Sequence, residues 1–235
     1  MKAAIKSQPQ TFPLPVKVVI IDLDGTLLHT APDLAEAANR MLAELRLPSI
    51  AETELMTYIG NGVSRLVKRV LTRDMQAEPE AELFERAHEI YMKHYADVVS
   101  LNSRPYPGVV AALEGLKQTG YRLACITNKA EKFTVPLLRD TGLHDYFELI
   151  LSGDTLPEKK PHPLPLQYTA RHFAAQPKEI LLVGDSLNDT QAARAAGCHV
   201  FCVSYGYNRG RSVHELDLDA VLDNLVEILP LITKI

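Results

Sequence analysis

Short, uninterrupted apolar runs alternating with helix-length segments constrain this chain more than any other feature. The runs are Lys17–Ile21, Tyr121–Ile126, Leu149–Leu151, Ile180–Val183 and Val200–Val203, the last of them closing the series. Runs without polar alternation suit strands buried on both faces, as in a parallel sheet covered by helices. Helical patterning between them covers Val109–Gln118, Lys132–Thr141, Leu164–Ala174 and Ser186–Ala196. Pro107–Gly108 opens the first of these, and Gly120 and Gly142 stop the first and second, as proline and glycine do at helix ends.

A different pattern interrupts this series after the first strand. Asp33–Leu45, Glu54–Tyr58, Val63–Thr72 and Glu80–Val99 carry apolar residues at three- and four-residue spacing, the mark of amphipathic helices. An all-helical block over 31–102, inserted between core segments 16–30 and 103–235, is the expected organisation, with 1–15 as a flexible tail.

Composition narrows the function. With 46% hydrophobic and 23% charged residues the chain reads as globular, and a formal net charge of −4 supplies no basic field for nucleic acid or an anionic membrane. Its apolar runs are far short of the ~20 residues that span a bilayer, and the first fifteen residues hold no signal-peptide core. Cys125, Cys198 and Cys202 lie in or near apolar runs without a CxxC pair, which favours buried thiols in a reducing cytoplasm. No HxxxH or HExxH pair points to zinc.

In an open parallel sheet, ligands bind beyond the carboxyl ends of the strands. Asp22, Asp24, Gly25 and Thr26 follow the first strand; Thr127 and Asn128 follow the second. Lys159, Lys160 and Pro161 lie in the link before a later helix, and Gly184, Asp185, Ser186 and Asp189 follow Ile180–Val183. Each group alone has an ordinary reading: a turn for DxDG, an N-cap for Gly184-Asp185-Ser186 and for Thr127-Asn128, a solvated surface for one of the lysines. Their coincidence at one sheet edge is the signal. A calcium loop is excluded, because Thr26 and Leu27 stand where an acid and a glycine are required.

Side chains alternate along a strand, so the Asp22 and Asp24 carboxylates are expected on one side, repelling each other unless a positive charge intervenes. Together with Asp185 they offer oxygens to a hard divalent cation such as magnesium. One carboxylate can attack phosphorus. The other can protonate the departing oxygen and then activate water. Thr127, Asn128, backbone amides near Gly25 and a lysine ammonium would hold the phosphate oxygens.

The ordered set Asp22-Leu-Asp24-Gly25-Thr26, Thr127-Asn128, Lys160-Pro161 and Gly184-Asp185-Ser186-Leu-Asn-Asp189 resembles the four motifs of the haloacid dehalogenase superfamily. The resemblance implies an α/β fold, a Rossmann-like parallel sheet core with helices on both faces, and an inserted all-α cap. It implies Asp22 as nucleophile, Asp24 as general acid/base, and magnesium held by the Asp22 carboxylate, the Asp24 backbone carbonyl and Asp185. Asp189 would orient metal waters, and Lys160, directly before Pro161, is the matching lysine. Dehalogenases of the superfamily lack the second acid, so Asp24 favours phosphate chemistry.

Three stretches, "YIGNGVSRLVKRVL", "SGDTLPEKKPHPLPL" and "VSYGYNRG", are similar to a subfamily that hydrolyses 2-phosphoglycolate to glycolate and phosphate. Gly60-Asn61-Gly62 leads into a helix whose free amides attract anions, and Arg65, one turn in, is a candidate partner for a substrate carboxylate or else a solvated side chain. Sugar- or amino-sugar-phosphate hydrolysis, β-phosphoglucomutase chemistry, phosphonoacetaldehyde hydrolysis through Lys68 or Lys93, and a phospho-acceptor signalling module are the alternatives. The expected partner is a small phosphate ester, with the protein a monomer or homodimer.

Overall fold

Residues 11–235 are described by the computed structural model. Six parallel strands make the central sheet. In chain order they are β2 (Val18–Ile21), β5 (Arg122–Ile126), β6 (Leu149–Leu151), β7 (Ile180–Gly184), β8 (His199–Val203) and β9 (Ala220–Leu222). Across the sheet the order is β6-β5-β2-β7-β8-β9. The chain therefore builds outward from β2 on one side, then returns to build outward on the other. Such a reversal leaves a crevice at the carboxyl ends of the strands beside it, here β2, β5 and β7.

Period-two alternation divides the sheet between two cores. Val19, Ile21, Leu123, Cys125, Leu181 and Val183 pack into one cluster; Val18, Ile20, Ala124, Ile126, Ile180 and Leu182 pack into the other. All are buried, which is why these strands read as continuous apolar runs rather than alternating ones. The covering helices are α5 (Val109–Thr119), α6 (Glu131–Asp140), α7 (Leu164–His172) and α8 (Leu187–Ala196).

Between β2 and the rest of the sheet lie α1 (Ala31–Glu44), α2 (Glu52–Tyr58), α3 (Val63–Thr72) and α4 (Ala81–Val98). Short strands β3 (Leu28–His29) and β4 (Arg104–Pro105) flank this block and pair antiparallel, Leu28 with Pro105 and His29 with Arg104. Buried Asp33 on α1 ties the outgoing chain to the returning one. It accepts from Asn102 N at 2.9 Å, Asn102 Nδ2 at 3.0 Å, Ser103 N at 2.8 Å and Ser103 Oγ at 2.6 Å. Helix α1 has no side-chain cap of its own. Instead the Tyr207 hydroxyl accepts from Thr30 N at 2.9 Å and Ala31 N at 3.0 Å, satisfying amides that a helix start leaves open.

Two expectations are corrected. Residues 14 and 15 are no tail: β1 (Leu14–Val16) pairs parallel with β10 (Ile232–Lys234), and Leu14 is buried. Of the rest of the expected tail, residues 1–10 lie outside the described residues. Val200–Val203 does not close the series either, because β9 and β10 follow it. Both are three residues long. Among the described residues, no helix is long and apolar enough to cross a membrane. The three cysteines are buried and unpaired.

Candidate active site

Strand β2 ends at Ile21, so Asp22 and Asp24 occupy a turn rather than successive same-side positions of a strand. Both line one cavity, and each carboxylate meets its own lysine. Lys160 Nζ lies 2.8 Å from Asp22 Oδ1. Lys129 Nζ lies 2.9 Å from Asp24 Oδ1 and 3.1 Å from Asp24 Oδ2. The expected repulsion is met by two ammonium groups, one of which, Lys129, is not among the expected site residues. It directly follows Thr127-Asn128, where a lysine reads as an ordinary solvated residue at a helix start; burial to 5% exposure is what marks it.

Lys160 is buried and fully engaged. Its three N–H groups reach Asp22 Oδ1, Asp189 Oδ1 at 2.7 Å and Ile126 O at 2.7 Å, the full donor capacity of an ammonium. Burial alone would lower its pKa, but Asp189 and Asp22 outweigh that and raise it. Lys159, by contrast, is exposed.

Asp189 opens α8 in a capping box with Ser186, its Oδ2 accepting from Ser186 N at 3.1 Å and Ser186 Oγ at 2.7 Å. Both of its oxygens are therefore committed. The N-cap reading of Gly184-Asp185-Ser186 holds for Ser186, while the preceding Asp185 lines the cavity. Asp185 Oδ2 accepts from the Tyr207 amide. Gly25 and Gly206 wrap this carboxylate so closely that a Cβ on either would overlap it.

Asp22, Asp185 and Asp189 bring carboxylate oxygens within 4.8 Å of one another. Burial first, then coulombic repulsion from Asp189, pushes Asp22 up to about 7 against the opposing pull of Lys160. Asp185 is raised well above its ordinary value by burial, Asp189 and Asp22. Asp22 Oδ2 and Asp185 Oδ1 accept no hydrogen bond from the described residues. Two carboxylate oxygens without a partner, repelling each other at the edge of a buried acidic cluster, are what a hard cation would relieve. The buried cluster fits a divalent metal.

These groups line one cavity of about 70 Å³, closed on the far side by Leu34, Ile59, Gly60, Asn61, Gly62, Val63 and Leu66 of the helical insert. Thr127, Asn128, Lys129 and Lys160 complete it. Asn128 donates to Lys160 O at 2.8 Å, while its buried Oδ1 has no partner among the described residues. Gly60, Asn61 and Gly62 all have positive φ, and the loop they form is held from behind by Arg69, which donates to Tyr58 O at 2.7 Å and Gly60 O at 3.3 Å. Arg65 is not brought to this cavity. It pairs with Glu78 and faces a separate, more open cleft. Lys68 pairs with the same Glu78 at 2.6 Å. A residue one turn into a helix can face either way, and Glu78 decides it.

The sequence model described as "Haloacid dehalogenase-like hydrolase" matches residues 19–203. The chain belongs to this family, and its fold and site define a hydrolase of the phosphate-ester type. A protein named phosphoglycolate phosphatase from Thiobacillus denitrificans is 64% identical over 225 residues, covering 96% of this chain and 99% of the relative. Another of that name from Nitrosospira multiformis is 56% identical, covering 95% and 98%. A crystal structure titled as a predicted phosphoglycolate phosphatase from Haemophilus somnus 129PT is 39% identical, with a TM-score of 0.86 over 91% of this chain and 96% of that one.

Proposed function

We propose that the chain hydrolyses 2-phosphoglycolate to glycolate and phosphate, with Mg²⁺ as cofactor and an aspartyl-phosphate on Asp22. The observation that carries this reading is the paired arrangement at the end of β2: Asp22 beside Lys160 and Asp185, Asp24 two residues on and separately held by Lys129. The names of relatives sharing 64% and 56% of aligned residues support the substrate.

Asp22 and Asp185, with the Asp24 carbonyl, would hold the magnesium, which when bound neutralises phosphate charge and draws the ester against Asp22. Asp22 attacks phosphorus, and Lys160, 2.8 Å from its Oδ1, fixes the carboxylate's direction. Asp24 gives a proton to the departing glycolate oxygen, then takes one from the water that cleaves the intermediate. Thr127 and Asn128 meet the phosphoryl oxygens, Asn128 with its amide anchored to the Lys160 carbonyl. Asp189 keeps Lys160 and the start of α8 in place. The helical insert excludes bulk water from the cavity.

The test is phosphate release from 2-phosphoglycolate, several sugar and amino-sugar phosphates, glucose 1-phosphate and phosphonoacetaldehyde, each with Mg²⁺ and with EDTA. A kcat/KM highest for 2-phosphoglycolate and abolished by EDTA is expected. A sugar phosphate at the top of the ranking would overturn the substrate, and metal-independent turnover would overturn the cofactor.

A further inference from the structure

We infer that Lys129 is the residue that reads the carboxylate of the substrate, an inference that rests on the proposed acid-bearing phosphate ester. A ligand carrying a phosphate and a carboxylate brings two anionic groups into a cavity of about 70 Å³. Placing the second in a site that excludes water requires a cation within reach. Lys129 and Lys160 are the cationic side chains that line this cavity. Lys160 has none to spare, since Asp22, Asp189 and Ile126 take all three of its protons.

Lys129 differs. Its ammonium spans the two oxygens of Asp24 at 2.9 and 3.1 Å, and its third N–H meets no oxygen or nitrogen among the described residues. On the insert side it lies 5.0 Å from the ring centroid of Tyr95 on α4, a cation–π contact. The ammonium is therefore fixed between core and insert, buried, with hydrogen-bonding capacity left. Two carboxylates can share it just as Asp22 and Asp189 share Lys160. The cations of α3 face elsewhere: Arg65 and Lys68 pair with Glu78, and Arg69 is spent on the Tyr58 and Gly60 carbonyls and Asn61 Oδ1.

Lys129 would thus touch two groups at once, the proton-transferring carboxyl of the enzyme and the acid end of the ligand. An ester without a carboxylate would still be cleaved, because Asp24 keeps its partner, but it would be held less firmly.

The experiment uses the full chain with Mg²⁺ and p-nitrophenyl phosphate as reporter, inhibited by 3-phosphonopropionate or by n-propylphosphonate, which differ in the carboxylate. The wild type is expected to bind 3-phosphonopropionate about tenfold or more tighter, the worth of one charge-assisted contact. Lys129→Met should bring the two inhibition constants within about twofold, Lys129→Arg should keep part of the preference, and Arg65→Gln should keep all of it. If Lys129→Met turns over too slowly to assay, calorimetric titration of the same two phosphonates gives the same ratio. Preference retained in Lys129→Met, or lost in Arg65→Gln, overturns the assignment. No preference in the wild type removes instead the acid-bearing substrate on which it rests.

Discussion

Lys160 Nζ lies 2.7 Å from Asp189 Oδ1, with both side chains almost wholly buried, 2% and 0% exposed. The pair does more than neutralise two charges. Asp189 also caps α8, so the ammonium is anchored to a helix terminus that cannot shift without losing its own amide partners.

Replacing Lys160 by methionine keeps the volume and removes the cation. Asp22, Asp185 and Asp189 would then face one another uncompensated, and breaking a buried pair in this way costs about 3–5 kcal/mol. Urea unfolding of the metal-free variant measures it; a loss under about 1 kcal/mol would mean that the carboxylates do not depend on this lysine.

Asp22→Asn separates chemistry from stability. Turnover should fall by about a thousandfold or more, because the amide is no nucleophile. Removing one member of a repelling trio should at the same time raise the metal-free melting temperature. Residual phosphate release near the wild-type rate would remove Asp22 from the nucleophile's role.

Stability without metal should fall as pH rises. Asp22 ionises at about 7 in the folded chain against 3.8 for an ordinary aspartate. The folded state therefore holds this proton more tightly than the unfolded one. Its contribution is complete below about pH 4 and is lost as pH climbs through about 7, a change on the order of a few kcal/mol. Asp185 shifts in the same direction. Thermal unfolding in EDTA should show a drop of roughly 5 °C or more between pH 5 and pH 8, and Mg²⁺ should stabilise more at pH 8 than at pH 5. A flat profile in EDTA would contradict the raised pKa of these carboxyls.

Gly206→Ala tests the cradle around Asp185. The added methyl would overlap the Asp185 side chain, turning its carboxylate away from Asp22. Magnesium affinity, read by the concentration giving half-maximal activity, should weaken by about tenfold or more. Unchanged affinity would show that Asp185 is not held by this contact.

The sequence carried the site's core motifs because a parallel sheet delivers every strand's carboxyl end to one edge. Asp22, Thr127, Lys160 and Asp185 could be grouped without coordinates, since each follows or faces such an end. What was illegible depends on direction rather than position. Lys129 stands directly after Thr127-Asn128, and Arg65 one helical turn after Gly60-Asn61-Gly62. Which of them turns inward was settled by Asp24 in one case and by Glu78, thirteen residues away, in the other. Strands β1 and β10, which pair with each other, join segments more than two hundred residues apart, a pairing that no local pattern announces.

The paired crossing at Leu28–His29 and Arg104–Pro105 has a mechanical result. Two separate tethers would let the helical insert slide, tilt and rotate independently. A hydrogen-bonded ribbon, locked further by Asp33 on Asn102 and Ser103, leaves bending across the ribbon as the soft motion. An insert moving on that ribbon would swing like a door on a single pin, and a door so hung comes back to the same frame. Each closure would return the Tyr95 ring to the same place over Lys129.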